Sequence, residues 1–90
     1  MKNLIILIMQ EGVHKETFIF KNIKDAWRFL VESDIKLLTP NANQMKGGFV
    51  TSHNILGRNA FYKIYNQYTF EDTDGDRYSF KNVIDIIEEV

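Results

Sequence analysis

Phe20-Lys21-Asn22-Ile23-Lys24-Asp25 returns sixty residues later as Phe80-Lys81-Asn82-Val83-Ile84-Asp85. Each copy follows a stretch that reads as a β-hairpin, and each has the grammar of a helix start. Asn22 and Asn82 are good N-caps, because the side-chain oxygen accepts from a free backbone N–H of the first turn. Asp25 and Asp85, three residues on, place a carboxylate at the positive end of a helix dipole. Self-similarity of this kind sets architecture before any single residue is weighed. The reading is an α+β fold: two ββα units as a pseudo-repeat, one antiparallel sheet, and helices packed on one face. The units span 2–34 and 67–90 of a single domain, 1–90, joined by a loop and an expected helix within 35–66.

The strands follow from turn chemistry and content. Leu4-Ile5-Ile6-Leu7-Ile8-Met9 is apolar throughout, the mark of a strand buried on both faces and central in its sheet. Glu11-Gly12 turns the chain and Glu16-Thr17-Phe18-Ile19-Phe20 returns it. The second hairpin turns at Asp72-Thr73-Asp74-Gly75-Asp76, where Asp-Gly is a strong short-range signal. Ile23, Ala26, Trp27, Leu30 and Val31 fall on one helical stripe, with Phe29 outside it. Val83, Ile86, Ile87 and Val90 form the matching stripe of the second unit. The expected core is Ile23, Trp27, Leu30, Phe20, Phe80, Val83, Ile86 and Ile87. Leu37 to Gly48, with the only proline, reads as a loop. Residues 52–66 fit one face of a helix through Leu56, Ala60, Phe61 and Ile64, with Ser52 or Asn54 as caps, although Phe61–Tyr65 also has strand-favouring content.

Composition excludes several chemistries. With no cysteine, disulfides, thiolate zinc sites and thiol nucleophiles are ruled out. His14 and His53 are the only histidines, and neither stands in a metal-ligand spacing or beside a supported nucleophile. No phosphate loop or dinucleotide fingerprint occurs. An EF-hand register through Asp72 fails, because the glycine falls at position 4 and position 12 is Val83. The expectation is a protein that is not an enzyme and uses no metal or cofactor. Lacking a leader-like segment or a run of about 20 apolar residues, it is expected to be soluble and cytoplasmic, with no membrane contact.

Charge is segregated. Residues 35–70 carry Lys36, Lys46, Arg58 and Lys63 and no carboxylate, whereas residues 71–90 carry seven acids against two bases. A basic stretch interleaved with aromatics marks the expected contact surface: Arg58, Tyr62, Lys63, His53 and Lys46, with Phe29 as a neighbour. The competing surface is the acidic tip of Asp72, Asp74 and Asp76. The function expected is that of a non-enzymatic inhibitor or adaptor engaging a larger protein, as a phage or mobile-element protein acting on a host or defence factor. The alternative is a nucleic-acid-binding module acting through residues 35–70, since aromatics stack on bases while cations neutralise phosphates. Self-association stays open.

Thr17-Phe18-Ile19-Phe20-Lys21-Asn22-Ile23-Lys24-Asp25-Ala26-Trp27-Arg28-Phe29-Leu30 resembles the hairpin-then-helix opening of small DNA-binding repeats attached to phage homing endonucleases. That likeness covers about a sixth of the chain. Those repeats continue directly into a short second helix and a closing strand, whereas a long loop is expected here, so their DNA contacts transfer to no residue. The Lys-, Asn- and Ile-rich composition is also similar to early proteins of phages and mobile elements.

Overall fold

The computed structural model describes residues 2–40 and 51–85. Strands β1 (Lys2–Glu11) and β2 (His14–Phe20) form the first hairpin, followed by helix α1 (Ile23–Glu32). Strands β3 (Leu38–Pro40) and β4 (Thr51–Ile55) pair with each other, ahead of helix α2 (Arg58–Ile64). Strands β5 (Thr69–Glu71) and β6 (Arg77–Asp85) form the last hairpin. The main sheet is antiparallel in the order β2-β1-β6-β5, so β1 is central.

Local chemistry explains the first unit well. Gly12 takes the hairpin turn at φ 60°, a left-handed conformation that costs glycine nothing. Asn22 Oδ1 accepts from Asp25 N at 2.9 Å, which is the expected N-cap. The helix ends when Ile35 N donates to Leu30 O and Asp34 N to Val31 O, the paired bonds of a left-handed C-terminal cap. Asp34 occupies that left-handed position at φ 56°, where glycine is the usual residue.

The second copy of the repeat departs from the first. Phe20 closes a strand and Asn22 opens a helix, but Phe80, Lys81, Asn82 and Val83 all lie within β6, which runs on to Asp85. The cause is a demand from the central strand. Lys2–Gln10 of β1 would present a row of unpaired backbone groups on one edge, and Asp85–Arg77 supply the ladder that satisfies them. Asn82 therefore caps nothing; its Oδ1 accepts from the Tyr65 hydroxyl at 2.8 Å. Of the expected second helix, Ile86, Ile87 and Val90 lie outside the described residues. The expected loop also contains a short strand, β3, and the expected 52–66 helix divides into β4 and α2, its cap position taken by Gly57 rather than Ser52 or Asn54.

One face of the sheet carries the core. Register places Phe18 and Phe20 beside Leu7 and Ile5 of β1, with Phe80 on the other side of Leu7 and Tyr78 opposite Met9. Both helices cover this face. Phe29 of α1 packs on Phe18 and Phe20, with ring centroids 4.7 and 5.3 Å away. Phe61 of α2, fully buried, meets Phe80 edge-on at 5.0 Å and Trp27 at 5.1 Å. Leu30 and Phe80 are buried as expected, but Val83 is exposed on the opposite face with Ile19. No helix among the described residues is long and apolar enough to cross a membrane.

Candidate functional site

Two helices laid side by side on a sheet leave a furrow between their outer surfaces, and here it is lined by cations. Lys24, Trp27, Arg28 and Val31 form the α1 wall; Arg58, Asn59 and Tyr62 form the α2 wall. The open furrow has a volume of about 600 Å³. Lys24 and Arg28 share a wall because a four-residue spacing returns to the same helical face. Trp27 is held by its ring contact with Phe61, and Arg58 stands in the first turn of α2.

Trp27 and Val31 also line an adjoining apolar cleft of about 330 Å³, whose floor is Leu30, Leu37 and Leu56. Ile55 closes its far side. Val31 is 60% exposed and Ile55 51%, so this aliphatic surface is open to solvent rather than folded away. The two clefts form one trough, basic and aromatic at one end and aliphatic at the other. Among the described residues that line it the only carboxylate is Asp34, at the aliphatic end with Lys36. Asp25 lies just outside and reaches Arg28 at 3.3 Å; with the arginine 65% exposed, that pair is solvent-screened and leaves most of its charge available.

Of the expected contact residues, Arg58 and Tyr62 are brought together in the trough. Lys63 is exposed on α2 but does not line it. His53 lies on β4, and Lys46 falls outside the described residues. Phe29 is partly buried and does not line the trough: its ring packs on Phe18 and Phe20 of β2, while Val31 is exposed. Lys24, Trp27 and Arg28 complete the trough from the helix next to the acid-free stretch. The i, i+4 pair Lys24/Arg28 was the sequence signal for them.

The acidic tip is two different things. Asp72 is only 5% exposed and belongs to the fold, not to a surface. Its Oδ1 accepts from Asp74 N and Asp76 N, both at 2.9 Å, and its Oδ2 from the Tyr78 hydroxyl at 2.8 Å. Asp74 is exposed, while Asp76 is partly covered and feels both hairpins. Partial burial, then the charges of Asp72, Glu11 and Asp74, raise its carboxyl above its ordinary value. The two hairpin turns thus sit together as an acidic end of the molecule. Among the described residues no cluster of three metal-ligating side chains forms, there or elsewhere.

Comparison with protein-family models, curated proteins and solved structures finds no match to this chain.

Proposed function

We propose that this is a non-enzymatic binding protein, an inhibitor or adaptor that engages a larger protein through the α1–α2 trough. The observation that carries the reading is the exposed apolar surface of Val31 and Ile55 adjoining a group of three cations, Lys24, Arg28 and Arg58. Arginine and aromatic side chains beside the exposed Val31 and Ile55 are the makings of an interface centre rather than of a stable free surface. Among the described residues, those that line the basic half include no carboxylate and no histidine, which suits recognition better than proton transfer.

A nucleic-acid reading has its own support: Trp27 and Tyr62 offer ring faces between Lys24, Arg28 and Arg58. Against it stand the aliphatic half of the trough and the acidic end of the molecule.

The experiment compares the tagged chain with its Lys24→Glu/Arg58→Glu variant as baits in the same host lysate, after circular dichroism has matched their folds. A protein retained by the parent chain and lost from the variant supports the reading. Identical sets of retained proteins sink it. Retention of nucleic acid with affinity that falls steeply as salt rises would move the function to the alternative, because phosphate neutralisation releases counterions.

A further inference from the structure

Resting on that reading, we infer the chemistry of the occupant: an acidic amphipathic helix of the partner protein, its aliphatic side lying on Val31 and Ile55 and its carboxylates meeting Lys24, Arg28 and Arg58.

Charge is the first argument. The chain as a whole has a net charge of −1, yet among the described residues the basic half of the trough is lined by three cations and no acid, with Asp25 just outside it against Arg28. An anionic ligand is therefore drawn to the basic half of this furrow, while the acidic β5–β6 turn, bridged through Asp72 to Leu37 at the aliphatic end, gives it direction as well as affinity. Hydrophobicity is the second. A purely phosphate-bearing ligand would leave Val31 and Ile55 in contact with water, whereas leucine- or isoleucine-sized side chains would cover them.

Spacing is the third argument. Lys24 to Val31 rises about 10 Å along α1 at ~1.5 Å per residue, which equals the reach from i to i+7 on another helix. Lys24 and Arg28 stand one helical turn apart, the separation of carboxylates at i and i+4 on a facing helix. Apolar anchors recurring at i, i+3 or i+4, and i+7 are how helices read a groove. The aromatic and aliphatic ends of the trough are then filled by successive anchors of one ligand face.

The test uses the full chain and an unbiased probe, a fully randomised display library of 16-residue peptides. Selected peptides are resynthesised and titrated while the emission of Trp27, the only tryptophan, is followed. Expected winners carry net negative charge with aliphatic residues at helical spacing, and they change the Trp27 emission. Each of Lys24→Glu and Arg58→Glu should weaken them about tenfold, the scale of a lost close charge pair. Ile19→Lys, on the opposite face of the sheet, should leave them within about twofold.

Neutral or basic winners that still depend on Arg58 would overturn the acidic-helix inference while leaving the trough as the binding site. Winners indifferent to both glutamate substitutions, or no winners at all, would overturn the trough reading as well. A single-stranded oligothymidine probe that displaces the winners and binds more tightly than they do would transfer the trough to nucleic acid and end this proposal.

Discussion

Tyr78 and Asp72 are joined under the β5–β6 turn by a 2.8 Å hydrogen bond from the hydroxyl to Oδ2, with both side chains buried. The same carboxyl group holds the turn through two backbone N–H groups. Asp72→Ala should therefore cost about 2–4 kcal/mol, since it orphans buried donors as well as removing bonds. Tyr78→Phe should cost about 1–2 kcal/mol by stranding one oxygen. Urea titration of the two singles and the double should show the double costing clearly less than their sum, because both remove one interaction. Simple additivity would mean that the hydroxyl and the carboxyl act independently.

Burial first, and then that bond, raise the Tyr78 hydroxyl far above its ordinary value of 10. The folded state thus keeps a proton that the unfolded chain gives up, and stability declines as pH climbs above 10. Denaturant midpoints of the parent chain should fall more steeply in that alkaline range than those of Tyr78→Phe.

Asp76 gives the acid-side counterpart. Its raised carboxyl means that stability, relatively, is highest below the ordinary value of 3.8 and declines as pH rises through the shifted one. Asp76→Asn keeps the backbone donor to Asp72 and removes the repulsion from Asp72, Glu11 and Asp74. The variant should melt above the parent at neutral pH, with the gain shrinking to nothing below 3.8. A gain that persists in strong acid would point to a cause other than charge.

Asp34→Gly should stabilise the fold by about 0.5–1 kcal/mol, because φ 56° strains a side chain that glycine lacks. Asp34→Ala should destabilise it. Thermal melts of both variants check the pair, and the opposite order would remove the left-handed cap from α1.

Phe61→Ala should cost about 3–5 kcal/mol, the range for deleting a buried aromatic that touches several others. Loss of more than half the folded population at room temperature would be unsurprising in a chain this small. Tyr62→Ala, at the trough and only partly buried, should be much milder. Equal losses would show that α2 is held by its outer face rather than by Phe61.

Much of this fold was written in local patterns. The two hairpin turns, the Asn22 cap and the central position of the apolar β1 each rest on a few adjacent residues, and each stands. What went unread depended on contacts between distant segments. Asn82 has the same neighbours in sequence as Asn22, but β1 needed a second partner strand and took it. Helical periodicity placed Val31 inside and Phe29 outside; Phe29 instead packs on Phe18 and Phe20 of β2 while Val31 is left exposed, a choice made by the distant β2 aromatics rather than by spacing within α1. The trough was half legible for the same reason. Arg58 and Tyr62 stood out in an acid-free stretch, while Lys24, Trp27 and Arg28 joined them only because α1 and α2 became neighbours.

The pairing of β1 with β6 has a consequence for synthesis in the cell. As the ribosome releases the chain, β1 can close with β2 at once, since a hairpin forms within microseconds. Its other edge must wait until Arg77–Asp85 has emerged, at roughly 5–20 residues per second. For several seconds the most apolar segment of the protein offers one open row of backbone groups to any passing strand. The nascent chain, not the finished one, is therefore where a holding chaperone would have most to protect.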